Sequence, residues 1–143
     1  MNDLHPKQKG NLTELQCITA FYEAGYQVSL PYGENSRYDL VADINGHLLK
    51  VQVKTSRTFD ENSFIFTCRS TKSKKSGNTR RAYTKDEIDY FATFYQGKCY
   101  LVPVEECGVE KRLHLFGCKS NQSMNVSYAK DYELLTQLKC FEE

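Results

Sequence analysis

Residues 38–55 read Tyr38-Asp39-Leu40-Val41-Ala42-Asp43-Ile44-Asn45-Gly46-His47-Leu48-Leu49-Lys50-Val51-Gln52-Val53-Lys54-Thr55, and their reading decides the fold. Asn-Gly between two alternating apolar runs predicts a β-hairpin closed by a two-residue type I′ turn. Such a turn sets the register. Ile44 pairs with His47, and each further pair keeps the residue-number sum of 91, which places Asp39 opposite Gln52. Directly opposed side chains lie about 4.5–5.5 Å apart at Cβ. Lys54, two residues past Gln52, shares that face. One face thus carries Asp39, Asp43, Lys50, Gln52 and Lys54. The other carries Leu40, Ala42, Ile44, Leu49, Val51 and Val53, with His47 as a polar exception beside the turn. The second set is a core face. The first gathers a carboxylate, an amide oxygen and an ammonium within reach of one cation and one phosphate. A merely solvated polar face does not explain why Gln52 and Lys54 interrupt an apolar run opposite Asp39.

Composition sets the outer limits. At 143 residues the chain suits one domain, 1–143, with a real core. A hydrophobic fraction of 40% and a complement of 10 Tyr and 8 Phe argue against disorder. No apolar run approaches the ~20 residues of a membrane span. Residues 1–10 are polar and lack the apolar stretch of a secretory signal, so a cytoplasmic location is expected. None of the six cysteines forms a C-x-x-C pair. His114 and Cys118 have a zinc-like spacing, but a closed structural site needs two more clustered ligands. Free thiols in a reducing compartment are the expectation.

Charge is informative through its distribution. Arg69, Lys72, Lys74, Lys75, Arg80 and Arg81 fall in a segment without acidic residues, leaving 13 basic and 18 acidic residues elsewhere, a net of −5. A concentrated basic segment on an otherwise acidic protein is a candidate contact for the phosphate backbone of a nucleic acid. Its interleaved Ser, Thr, Asn and Gly predict a mobile loop that orders on its partner.

The remaining segments read as α/β. Leu12, Leu15, Ile18, Phe21 and Tyr22 keep near-helical spacing, and Gly25 can end that helix. Tyr26, Val28 and Leu30 alternate as a short strand. Phe64, Phe66 and Cys68 predict a strand next to the hairpin. Thr84 and Glu87 match a capping box that would open a short helix through Ile88, Phe91 and Ala92. Residues 99–104 and 111–116 suggest two more strands. Ser127 can cap a last helix with Leu134, Leu135, Leu138 and Phe141 as its apolar stripe.

In this order the elements resemble the core of the PD-(D/E)xK nuclease superfamily: a helix, a strand, then "YDLVAD", then "VQVKT". The later "IDYFATF" and "CYLVPVEEC" segments add to the likeness, which covers about residues 10 to 105. The resemblance implies an α/β, restriction-endonuclease-like fold with a mixed central sheet flanked by helices. It assigns catalytic positions to Glu14 on the first helix, Asp39 on the second strand, and Gln52 and Lys54 on the third. Tyr38 stands where the pattern has proline, and Gln52 where it has its second acid. The Q-x-K version in a small chain is similar to that of PD-(D/E)xK homing endonucleases of group I introns. Holliday junction resolvases share the core.

Phosphodiester hydrolysis needs a cation that neutralises non-bridging oxygens and makes hydroxide available near neutral pH. Mg²⁺ prefers one or two carboxylates, with water and phosphate oxygens completing its octahedron; Mn²⁺ can substitute. Asp39 would be the anionic ligand, and Gln52 a neutral one through its carbonyl oxygen. The resemblance adds the Val53 main-chain carbonyl. Lys54 would orient or activate the water and stabilise developing negative charge. Glu14 would orient a water at the ion or hold a second ion. The expected activity is Mg²⁺-dependent, site-specific cleavage of double-stranded DNA leaving 5′-phosphates, with Lys72, Lys74, Lys75, Arg80 and Arg81 binding the DNA. A junction resolvase, and a DNA-binding module whose nuclease core has decayed through loss of the second acid, are the alternatives. A site-specific cutter this small should act as a symmetric homo-oligomer, a dimer or a tetramer.

Overall fold

A computed structural model describes the backbone of residues 3–74, 77–117 and 126–142, with the side chains of all of these except 71–74 and 77–79. Lys75 and Cys118 lie outside the described residues. In chain order the strands and helices are α1 (Pro6–Glu23), β1 (Gln27–Ser29), β2 (Leu40–Ile44), β3 (His47–Val53), β4 (Arg57–Asp60), β5 (Ser63–Thr67), β6 (Arg69–Lys74), β7 (Gly77–Ala82), β8 (Tyr90–Tyr95), β9 (Lys98–Pro103), β10 (Glu110–His114) and α2 (Leu134–Leu138). The central sheet runs β1-β2-β3-β8-β9. All its pairings are antiparallel except β3 with β8, so the sheet is mixed. Among the described residues no helix is long and apolar enough to cross a membrane.

The expected β2–β3 hairpin is present. Asn45 (φ 54°) and Gly46 (φ 94°) make the turn, and Asp43 Oδ1 accepts the Gly46 N–H at 2.8 Å. Leu40, Ala42, Ile44, Leu49, Val51 and Val53 are all buried, while Val41, Asp43, Lys50 and Gln52 are half-buried between them.

The sheet has a core on each face. On one side, α1 and α2 pack Cys17, Phe21, Leu134 and Leu138 onto the apolar face of the hairpin and onto Tyr90, Ala92, Cys99 and Leu101. On the other, Phe91, Tyr100 and Val102 meet Phe64, Phe66 and Leu113 of the small sheet β10-β5-β4. Among the described residues, that second core takes nothing from β1, β2 or β3. The polar face of the hairpin is therefore where an active site can open.

Several sequence expectations are revised. Helix α1 starts with His5 and Gln8 in a reciprocal capping box and ends before Gly25 (φ 93°). Its buried row is Thr13, Cys17 and Phe21, four residues apart, whereas Leu15 and Tyr22 are exposed at 60% and 62%. Phe64 and Phe66 do lie on a strand, but it pairs with β10 and β4; the hairpin's neighbours are β1 and β8. Glu87 bonds back to Thr84 N–H at 3.1 Å as a capping box requires, yet only one turn forms. Residues 90–95 then run as a strand, because Tyr-Phe-Ala-Thr-Phe-Tyr is buried on both faces, a position that suits aromatic residues in a sheet. Ser127 caps nothing; α2 is a short helix between two 3₁₀ turns, and Leu135 is exposed. The basic segment is no irregular loop: β6 and β7 pair antiparallel from Arg69–Ala82 to Lys74–Gly77.

Candidate active site

The site forms where the hairpin ladder ends. Five pairs, from Ile44–His47 to Leu40–Val51, keep the sum of 91. At Asp39 the regular register stops. The Asp39 N–H donates to the Val51 carbonyl at 2.8 Å, so Asp39 and Leu40 both face Val51. Two residues against one is the count of a β-bulge, a device that re-aims a side chain. Asp39 consequently does not stand opposite Gln52, as a uniform register requires. Its carboxylate reaches further along β3, and Oδ2 accepts the Val53 N–H at 2.8 Å. That N–H points to the side where β2 has run out, and the carboxylate supplies the acceptor a longer strand would have provided.

The neighbouring donors follow from the same geometry. Lys54 N–H is paired to the Ala92 carbonyl of β8 at 2.9 Å, which fixes the end of the strand. Half-buried Gln52 holds Nε2 at 3.4 Å from the Val53 carbonyl, a long contact. A half-turn of that amide would bring Oε1 to the same place and set two neutral oxygens beside the Asp39 carboxylate. Opposed carbonyl oxygens repel one another unless a cation lies between them. Glu14 is half-buried on α1. Burial, and next the Asp39 charge, push its carboxyl above the usual range. Asp39 is likewise raised by burial, with the Val53 N–H and Lys54 working against the rise. Burial pushes the Lys54 ammonium below the usual lysine range; Asp39 opposes that shift and Arg37 adds to it.

These residues fit a divalent cation. Among the described residues no three His, Cys, Asp or Glu side chains converge. The oxygen set is instead one or two carboxylates, an amide and a main-chain carbonyl, the kind Mg²⁺ accepts while keeping several waters. Both carboxyls have a raised affinity for a proton, chiefly because burial penalises their charge, and a cation at the site would offset that same cost.

The root of the basic β6–β7 hairpin adjoins this cluster. Lys54 Nζ donates to the Arg69 carbonyl at 3.1 Å and lies 5.3 Å from the centre of the Tyr83 ring. Arg81 bonds Glu87 at 2.9 Å, and Arg80 is exposed. Lys72 and Lys74 belong to β6 by backbone pairing, but their side chains are not among those described. Of the predicted site residues, then, Glu14, Asp39, Gln52, Val53 and Lys54 are brought together, and the arm carrying the basic residues is rooted beside them. The sequence reading missed Arg37 and Tyr83. Neither belongs to the helix, strand and turn patterns that guide such a reading, and their importance arises only when residues 37, 54, 70 and 83 meet.

A mixed β-sheet with an acid at the end of one strand, and an amide and a lysine at the end of the next, is that of a restriction-endonuclease-like α/β fold. The chain matches the PD-(D/E)XK endonuclease family model over residues 4–135, and it belongs to that family. Among solved structures it is similar to a bacterial homing endonuclease, I-Ssp6803I, at 25% identity and a TM-score of 0.73, over 97% of this chain and 98% of that one. No curated protein sequence gave a significant match.

Proposed function

We propose that this PD-(D/E)XK endonuclease is a Mg²⁺-dependent, site-specific DNA endonuclease of the homing type, with Mn²⁺ able to replace Mg²⁺. The supporting observation is the strand-end cluster: Asp39 re-aimed onto Val53, with Gln52 and Lys54 beside it and Glu14 on α1 near enough for its carboxyl to respond to the Asp39 charge. Asp39, Gln52 and the Val53 carbonyl would hold the ion, which when bound neutralises phosphate oxygens and lowers the pKa of water. Lys54 sits in a half-buried position where its positive charge is poorly screened, so it stabilises negative charge that builds on the phosphate. Glu14 orients a water or receives its proton, a task suited to a carboxyl whose affinity for protons is raised. The β6–β7 arm is a two-stranded ribbon, a shape the DNA major groove admits. It would bring Lys72, Lys74, Arg80 and Arg81 to the duplex, and Lys75, next in sequence to Lys74, is proposed to join them. The small size of the chain supports a symmetric dimer or tetramer on a two-fold target.

Digestion of a randomised duplex library with Mg²⁺, followed by sequencing of the ends, tests this reading. Ends that carry 5′-phosphates and share a sequence, and that vanish with EDTA, are expected. Cutting confined to synthetic four-way junctions would make the protein a resolvase. Tight DNA binding with no metal-dependent ends would make it a binding module.

A further inference from the structure

Arg37 has no role in the cleavage chemistry described above, yet every nitrogen of its guanidinium is engaged. Its Nε donates to Glu87 Oε2 at 2.8 Å, one terminal nitrogen to Ser70 Oγ at 2.7 Å and the other to the Ala82 carbonyl at 2.8 Å. Its guanidinium also lies 3.8 Å from the centre of the Tyr83 ring. With 21% of its side chain exposed, this is no solvated surface pair. Ser70 is on β6 and Ala82 on β7, so the guanidinium ties both strands of the basic arm at their root. Glu87 belongs to the turn that leads into β8, the strand to which Lys54 N–H is paired. Arg37 itself lies two residues before Asp39.

The arm root also holds the lysine. Lys54 Nζ donates to the carbonyl of Arg69, the residue before Ser70. The Tyr83 ring neighbours both cations, with Arg37 at 3.8 Å and Lys54 Nζ at 5.3 Å from its centre. Moving the root would therefore move the acceptor on which Lys54 rests and the ring beside it. Arg37 is thus the tie between the arm and the segment that leads into Asp39.

We propose that Arg37 is a positioning residue that locks the root of the DNA-binding arm to the Asp39 segment and thereby holds the Lys54 ammonium in register with the site. This inference rests on the nuclease reading above. It makes the arm more than an affinity device: its seating on DNA bears on the cleavage step. A planar guanidinium is needed, because three acceptors in three directions and one ring face must be met at once. A lysine at this position keeps the charge but cannot reproduce the fork.

The test is single-turnover cleavage of a duplex selected from the library, at saturating protein and with Mg²⁺, beside binding of the same duplex with Ca²⁺ in place of Mg²⁺. Arg37→Ala should slow the cleavage step by about 10²-fold, the scale of a misplacement near 1 Å, with affinity changed less than about threefold. Arg37→Lys should recover little of that rate. Added guanidinium, at ionic strength matched with NaCl, should speed Arg37→Ala and leave Lys54→Ala unchanged. A rate equal to wild type in folded Arg37→Ala overturns the inference alone. So does a loss confined to affinity, or full activity in Arg37→Lys. A wild type that cuts no duplex overturns the nuclease reading, and this inference falls with it.

Discussion

The two antiparallel hairpins, β2–β3 and β6–β7, are held by different forces. The first puts six apolar side chains into a core shared with α1 and α2. The second, among its described residues, contributes nothing to either core. Its pairing runs over six residue pairs, and its root is secured by Arg37, by Lys54 and by the Arg81–Glu87 pair. Burial fixes the hairpin that carries the proposed metal donors, where small displacements matter most. Polar contacts fix the arm proposed to meet DNA, a partner against which buried apolar surface would have no purpose. One lysine spans the two.

The largest expected effect lies at that lysine. Lys54→Ala should cut the single-turnover rate by about 10²–10³-fold, the usual loss for a group that stabilises developing charge. The fold should survive, since Lys54 belongs to neither core. Near-normal rates in the folded variant would separate the buried hairpin from the chemistry.

A smaller effect is expected on the arm. Lys74→Ala combined with Lys75→Ala should weaken binding on all sequences alike. Its slope of log affinity against log salt should flatten by roughly 0.9 for each phosphate the variant no longer neutralises. Titrations over a salt series measure this. Superimposable slopes for wild type and variant would place the DNA-binding surface elsewhere. Arg80→Ala or Arg81→Ala should additionally change sequence preference if the arginine reads a guanine edge.

At the far end of the first hairpin, Gly46→Ala should cost stability and leave the rate intact. Gly46 has φ 94°, and an added Cβ meets nothing within 4 Å, so backbone strain alone sets the cost. About 1–2 kcal/mol is expected in urea unfolding. A change in cleavage rate at equal folding would show that the two ends of the hairpin are coupled.

The smallest effect concerns pH. Burial raises the Asp39 pKa in the folded state, so the folded protein binds its proton more tightly than the unfolded chain. The stability from this group is complete below the ordinary aspartate value of about 3.9 and is lost as pH rises through the raised folded value. Asn at this position can still accept the Val53 N–H. Asp39→Asn should therefore melt slightly above wild type at pH 7, with the gap narrowing as pH falls through the raised folded value and gone below about 4. A gap that widens on acidification would reverse the assigned direction.

These differences also explain which parts of the fold were legible. The β2–β3 hairpin was readable because Asn45-Gly46 and a period of two state the same structure. The β6–β7 hairpin was not, because Ser70 to Arg81 contains no apolar residue to show a period. Thr84 and Glu87 made their cap, but buried aromatic residues from Tyr90 onward favoured a strand over the helix a cap implies. Within the site, residue identity was legible and placement was only partly so. Extending the register predicted Asp39 near Gln52; the bulge moved its carboxylate to Val53 N–H, which no residue pattern announces. Arg37 was invisible for the same reason, since its partners, Ser70, Ala82, Tyr83 and Glu87, all lie more than thirty residues away in sequence.

Single-turnover cleavage by Asp39→Asn, set beside wild type and Gln52→Glu with Mg²⁺, tests the metal site most directly. Loss of all Mg²⁺-dependent cutting in folded Asp39→Asn is expected, with activity kept in Gln52→Glu and its Mg²⁺ to Mn²⁺ preference altered by the added charge. Unchanged Mg²⁺-dependent cutting by Asp39→Asn would contradict a metal site at the end of this hairpin.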